Sequence, residues 1–302
     1  MQDRSVILLA TNQKKYLDFA LNCAESIKLH NPGLPIFIAT NIITDKEYRG
    51  VKFVPVSDEV AKLTIAAKIY LDQLIQTEET LFIDSDCLCY GNLDLIFNTC
   101  AGHNVTTVGR LISRGEEWGP KSAEHGMKNF GTDKFIIYNG GLYYIRKSDI
   151  TNRIFEKARE LYRKYDYYEF GRIKNGWVNE EQVFAIAMVL NNETPVADNG
   201  LLITDLYTDK RPRKLNVLTG NRLLRNFTYP LTEPRSWYPA VFSPVVLHFG
   251  GDAIRSYPYI SQVLLLKLNK IGYPVVLSSV IKYLLMDISF KTYHFIRRYA
   301  NF

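Results

Sequence analysis

The sequence predicts an α/β protein: a mostly parallel sheet flanked by helices, closed by a C-terminal helical extension. Three observations carry that prediction. Short β-rich runs alternate with helical stretches over the first 85 residues, as expected of parallel strands linked by crossover helices. The 302 residues, 47% hydrophobic and 23% charged, sit near the globular average and are enough for a substantial core. No repeat, low-complexity tract or linker divides the chain, so one domain over 1–258 with an extension over 259–302 is the simplest organisation.

The elements follow in order. Residues 6–10 read as a buried strand, 17–30 as a helix with apolar positions near i, i+3 and i+4, and 36–40 as a second strand after the turn Asn31-Pro32-Gly33. Residues 51–56 give a third strand, 64–75 a helix, and 80–83 a further buried strand. Ligands in such sheets bind beyond the carboxyl ends of the strands. That rule directs attention to Thr11 and Asn12 after the first strand and to Asp84-Ser85-Asp86 after the fourth. From 109 to 133 no period is sustained, which predicts a long loop over the sheet. A strand resumes at 135–138, and Asn139-Gly140-Gly141 interrupts the apolar pattern at a point where a ligand or another backbone comes close. Residues 154–165 and 180–190 read as helices, 245–249 as a strand running into Gly250-Gly251, and two helical stretches close the chain.

Composition removes several classes. The apolar runs fall far short of the roughly 20 residues needed to cross a bilayer. Asp3 before the short run at 6–10, with Asn12, Lys14 and Lys15 after it, does not make a secretory signal. Cys23, Cys87, Cys89 and Cys100 then read as reduced thiols of a cytoplasmic protein, and Cys87 and Cys89 suit one face of a strand rather than a zinc site. The net charge of +6 is concentrated in the tail, where Lys267, Lys270, Lys282, Lys291, Arg297 and Arg298 face the single acid Asp287. A nearly neutral body argues against a nucleic-acid binder. The tail interleaves those bases with Tyr283, Phe290, Tyr293, Phe295, Tyr299 and Phe302. Two readings fit: a helix lying on an anionic membrane surface, peripheral at its inner face, or a terminal helix packing its aromatics on the core.

Asp84-Ser85-Asp86 is the only Asp-x-Asp in the chain. Two carboxylates at the exit of a buried strand offer hard oxygen ligands to Mg²⁺ or Mn²⁺, and the same tripeptide also suits a turn or a helix cap. His248 ends an apolar strand just before Gly250 and Gly251, a setting that suits either a third ligand beside phosphate-binding amides or a satisfied core histidine. The other four histidines have no comparable setting.

Four segments, LFIDSDCLCYGNLDLIF, YNGGLYYI, NEEQVFAIA and VLHFGG, occur in the order and approximate spacing of the GT-A nucleotide-sugar glycosyltransferases. Over residues 5–256 the chain most resembles family 8, which includes glycogenin and bacterial lipopolysaccharide glucosyl- and galactosyltransferases. The resemblance implies a GT-A, Rossmann-like fold and a retaining, Mn²⁺- or Mg²⁺-dependent transfer of a hexose from a UDP-sugar to an acceptor hydroxyl. A glycan or glycolipid is the acceptor it suggests. It implies Asp86 and His248 as metal ligands and Asp84 shared between metal and ribose. Thr11 and Asn12 fall at the nucleotide base, and Lys68 where the family commonly has a donor-binding Arg. Asn139, Gly140 and Gly141 fall along the donor sugar, with Gly250 and Gly251 at the phosphates. Glu181 and Gln182 match the acidic-Gln pair that holds sugar hydroxyls near the anomeric carbon.

One departure stands out, because Ile254 occupies the place of the family's diphosphate-binding Lys: either Arg255, next along, substitutes for it or the loop differs. Trp118 and Trp177 are the aromatics available to stack on an acceptor sugar. Two other functions remain compatible: a sugar nucleotidyltransferase, although no Gly-rich basic loop follows the first strand, and a non-catalytic carbohydrate- or membrane-binding relative.

Overall fold

A computed structural model describes residues 3–44, 48–115, 123–173, 176–206, 214–226 and 235–299. The first half alternates as the pattern requires: β1 (Arg4–Leu9), α1 (Lys14–His30), β2 (Ile36–Thr40), β3 (Lys52–Pro55), α2 (Asp58–Ala61), a 3₁₀ helix (Thr64–Tyr70), α3 (Leu71–Leu74) and β4 (Glu79–Ile83). Then follow β5 (Cys87–Cys89), α4 (Asp94–Cys100), β6 (Val105–Ile112), α5 (Ala123–Phe130), β7 (Phe135–Arg146), α6 (Asp149–Arg163) and α7 (Glu180–Leu190). The remainder is β8 (Val196–Ala197), β9 (Ile203–Asp205), β10 (Lys214–Asn216), β11 (Asn221–Arg225), β12 (Val241–Phe242), β13 (Val246–His248), a 3₁₀ helix (Gly251–Arg255), α8 (Tyr257–Lys270), α9 (Val275–Lys282) and α10 (Ile288–Tyr299).

Seven strands form the central sheet in the order β3-β2-β1-β4-β7-β6-β8. Pairs β1–β2, β2–β3, β1–β4 and β6–β8 are parallel, while β7 runs antiparallel to both β4 and β6. Period-2 alternation splits the apolar strands between two cores. Ile7, Phe82 and Tyr143 face one side with α6 and α7, whereas Val6, Leu8, Leu81 and Ile83 face the other with α1 and α4. Helix α7 is apolar almost all round, and it is accordingly buried along most of its length. A smaller sheet, β5-β13-β9, and the ribbon β10-β11-β12 pack with α8 around a third core.

The structure departs from the sequence pattern at four places. Residues 64–75 form a 3₁₀ helix followed by a short α-helix rather than one α-helix. The expected loop from 109 to 133 contains the end of β6 and all of α5, with 116–122, including Trp118, outside the described residues. Asn139-Gly140-Gly141 does not end its strand. The extended chain of β7 runs on through it to Arg146, and the interruption appears as a bulge of β7, because Thr107 of β6 pairs with Tyr143 and Gly109 with Tyr138, leaving 139–142 outside that ladder. Finally, the boundary at 258/259 cuts α8, whose Tyr259, Val263, Leu265 and Leu266 belong to the third core.

Beyond α8 the tail leaves the body. Lys282 donates to both carboxylate oxygens of Asp287 at 2.9 Å, Tyr257 donates to the same carboxylate at 2.5 Å, and the Tyr257 and Phe290 rings stack at 4.0 Å. These contacts tie down a π-helical segment, Tyr283–Asp287, that joins α9 to α10 without a break, but leave Ile271, Val276, Leu284 and Leu285 exposed, at 70%, 76%, 57% and 64%. Of the tail aromatics whose side chains are described, Tyr283 and Tyr293 are exposed, whereas Phe290 stacks on Tyr257. The side chains of Phe295, Arg297, Arg298, Tyr299 and Phe302 lie outside the description. No helix among the described residues is long and apolar enough to cross a membrane.

Candidate active site

β1 and β4 are adjacent and parallel, so the residues that leave their carboxyl ends share one edge of the sheet. Thr11 and Asn12 follow β1. Asn12 adopts a left-handed φ of 67°, and its side chain donates to the Ala61 carbonyl at 2.7 Å while its amide N–H donates to Asn41 Oδ1 at 2.9 Å. After β4 the chain turns tightly, with Cys87 N–H donating to the Asp84 carbonyl at 3.0 Å, and enters the small sheet as β5. There Cys87 pairs across from His248 in antiparallel register. That pairing brings Asp86 and His248 together: Nε2 lies 3.2 Å from Asp86 Oδ1. The ring's other nitrogen is 3.1 Å from Asn139 Oδ1, which also accepts the Gly141 N–H at 2.9 Å. Burial alone would lower the His248 pKa, but Asp86 more than reverses this and holds the imidazole up at about 9. Burial would likewise raise the Asp86 carboxyl, and His248 pulls it below its ordinary value.

Lys68 sits behind this pair, buried on the 3₁₀ helix. Its ammonium donates to Asp84 Oδ2 at 3.0 Å and to the Gly140 carbonyl at 3.0 Å, and it pairs with Glu180 Oε1 at 2.8 Å. An ammonium has three donors, and these contacts use all of them. The resemblance places Lys68 on the donor; in the structure its ammonium clamps β4, β7 and α7 together. Burial works against its charge, and Asp84 and Glu180 prevail, raising its pKa.

Helix α7 begins at Asn179, whose side chain accepts the Glu181 N–H at 3.1 Å as an N-cap. Its first three side chains then diverge. Glu180 meets Lys68, and Glu181 Oε1 accepts the Gly140 N–H at 2.8 Å. Gln182 points elsewhere: its amide exchanges two hydrogen bonds with the Gly171 backbone, at 2.9 and 3.0 Å, and it is buried there. The expected Glu181–Gln182 pair is therefore corrected to Glu180–Glu181, since helical geometry turns Gln182 away from the sheet edge. The glycines are required by proximity. A Cβ on Gly140 would lie 2.3 Å from Glu181 Oε1, and one on Gly141 would lie 3.0 Å from His248 Nδ1.

A cleft of about 500 Å³ opens over these groups, lined by Asn139, Gly140, Glu181, His248 and Gly250 together with Asp198, Asp205, Arg235, Trp237 and Tyr238. Two larger cavities, about 700 and 740 Å³, lie along α6 and contain none of the candidate residues. Arg255 is exposed on its 3₁₀ helix and does not line the cleft, nor do Gly251 and Trp177. Arg110 and Arg235 are the arginines that do, and Ile254 packs against the third core. Sequence reasoning missed Glu180, Asp198, Asp205, Arg235 and Trp237. Only Glu180, adjacent to a recognised motif residue, left a signal that could have found it.

Two expectations follow. Lys68→Ala leaves Asp84 and Glu180 without their cation, and urea unfolding should show a loss of about 3–5 kcal/mol; an unchanged midpoint would mean the clamp carries no weight. Glu181 is pushed up to about 7, first by burial and then by the neighbouring Glu180 charge. A carboxyl raised in the folded state destabilises the fold progressively as pH climbs from its ordinary value of 4.5 toward 7, and has no such effect when both states are protonated. Glu181→Gln should therefore stabilise the protein by about 2 kcal/mol at pH 8 and by almost nothing at pH 4, read from melting curves at the two values.

No family model matches the chain, and no curated protein matches it in sequence. Solved structures do. A structure of LgtC carrying an active-site substitution is 16% identical with a TM-score of 0.54, over 82% of this chain and 87% of that one. The galactosyltransferase LgtC in complex with donor and acceptor sugar analogues gives 16% and 0.53 over the same shares. The apo bifunctional glycosyltransferase WbbM gives 12% and 0.53, over 83% of this chain and 46% of that one. With its seven-stranded sheet, its small second sheet and its helical tail, the chain has the GT-A fold of these glycosyltransferases.

Proposed function

We propose that this protein is a metal-dependent retaining glycosyltransferase that moves a hexose from a UDP-sugar to an acceptor hydroxyl. The observation that carries the reading is the meeting of Asp86 and His248, remote in sequence, 3.2 Å apart at the carboxyl edge of the sheet. Their donor set fits a divalent cation. A carboxylate oxygen and an imidazole nitrogen converge, and Cys87 Sγ lies within 4.8 Å of both. That thiol is fully buried, and burial raises its pKa well above the ordinary value, so Asp86 and His248 are the residues that would hold Mn²⁺ or Mg²⁺. Asn139 Oδ1 would accept the Nδ1–H of His248, leaving Nε2 free to ligate. Bound there, the cation would neutralise charge gathering on the departing diphosphate.

The chain's own groups supply the rest. Asp84, held by Lys68, faces the ribose side beside Thr11 and Asn12, while Glu181 and the Gly140–Gly141 backbone border the donor sugar. As the bond from the anomeric carbon to phosphate oxygen breaks, the acceptor oxygen bonds to the same face and its proton passes to the departing phosphate. No protein nucleophile is needed, although Glu181 is the carboxylate nearest that role. Calorimetry with UDP-glucose and UDP-galactose, together with release of UDP, tests the reading. Both should require Mn²⁺ or Mg²⁺, and Asp86→Ala should weaken each by about 100-fold. Full activity of that variant with chelator present would refute the assignment, and release of pyrophosphate would mark a nucleotidyltransferase.

The exposed apolar face of the tail, with Lys270 and Lys291 on the same elements, supports a second element of the proposal. This face docks on an anionic lipid surface, where a glycolipid acceptor would be presented. Co-sedimentation should show binding to phosphatidylglycerol vesicles and little to phosphatidylcholine, weakened by salt. Leu285→Asp should reduce it several-fold, and equal binding to both lipids would overturn the docking.

A further inference from the structure

The cleft has a second wall that neither the motifs nor the proposed donor site uses. It is formed by Asp198, Asp205, Arg235, Trp237 and Tyr238, with Arg110 from the end of β6. β9 lies parallel to β13, and Asp205 is the register partner of His248, so this wall is one strand away from the candidate metal ligand. Trp237 is held in place. Its indole N–H donates to Asp198 Oδ2 at 3.3 Å, and the Arg110 guanidinium carbon lies 3.7 Å from the ring centroid. The ring nevertheless stays 40% exposed where it lines the cleft. A fixed, half-exposed indole loses little conformational freedom when a ligand covers it.

The polar groups beside it define the ligand. Arg235 donates to Asp205 Oδ2 at 2.8 Å and to the Tyr238 hydroxyl at 2.9 Å, and that hydroxyl in turn donates to Asp198. Asp205 Oδ1 is buried and has no hydrogen-bond partner. That holds among the described residues, and the cleft meets the Asp205 carboxylate through its remaining surface. Two carboxylates offset two guanidinium groups along the wall, so it suits a neutral, hydroxyl-rich molecule better than a phosphate. An apolar face for the ring and hydroxyls for the carboxylates together describe a pyranose.

Resting on the transferase reading above, we propose that Trp237, backed by Arg110 and flanked by Asp198 and Asp205, is the platform on which a neutral hexopyranosyl acceptor stacks, in the cleft it shares with Glu181 and His248. Methyl β-glucoside and methyl β-galactoside serve as probes in saturation-transfer NMR, with UDP plus Mn²⁺ titrated separately. At least one hexoside should bind the wild-type protein. Trp237→Ala should weaken that binding about tenfold, Trp237→Phe should retain most of it, and UDP binding should stay unchanged in all three proteins. The proposal is overturned if neither hexoside binds, if Trp237→Ala leaves hexoside binding intact, or if UDP binding falls in parallel. Wild-type protein that ignores UDP yet binds a hexoside through Trp237 would sink the transferase reading and uphold the platform.

Discussion

The buried ammonium of Lys68 is the constraint on which the sheet edge depends. Three segments distant in sequence end on it: the exit of β4 through Asp84, the middle of β7 through the Gly140 carbonyl, and the first turn of α7 through Glu180. Two carboxylates facing one another in a dry interior would repel, and a cation between them turns that repulsion into a fixed distance. Everything nearer the cleft inherits its position from this clamp. Gly140 N–H is aimed at Glu181, Gly141 at Asn139, and Asn139 at His248. A guanidinium at the same place would have spare N–H groups to offer a ligand, whereas a saturated ammonium has none. Lys at this place therefore orders the residues around it through its full set of contacts.

The parallel half of the sheet was legible in the sequence because its strands are buried on both faces and read as continuous apolar runs at 6–10, 36–40 and 80–83. Asp84, Asp86 and His248 were legible too, since each sits at the end of such a run. Other parts were not, for identifiable reasons. The strand at 135–138 is cut short in the pattern by Gly140 and Gly141, yet β7 runs on through them as a stretch that neither β4 nor β6 pairs, and the missing Cβ atoms allow close packing against Glu181 and His248. Gln182 could not be separated from Glu181 by motif order alone, because a 100° step around α7 decides which side chain meets the sheet and which meets Gly171. Trp237 lies in a stretch without period, and only the fold carries it to a wall shared with β9 and β13.

The two halves of the molecule also divide the chemistry by their topology. The large sheet presents strand ends to one side of the cleft, as doubly wound sheets do. β5 and β13 connect that edge to the third core, since β5 follows Asp86 directly and β13 ends in His248. A cation held between those two residues would bridge the large sheet and the small one. Its binding would then be coupled to the packing of α8 and, through Asp287 and Tyr257, to the attitude of the tail. The tail's apolar face is consequently tied to the body by hydrogen bonds rather than left as a free appendage. If that face rests on a lipid surface, the orientation of the cleft above the surface is set by the contacts that tie the π-helical segment 283–287 to Tyr257. An acceptor presented from the membrane would then meet a cleft whose attitude the fold has already set, which lowers the orientational cost of transfer.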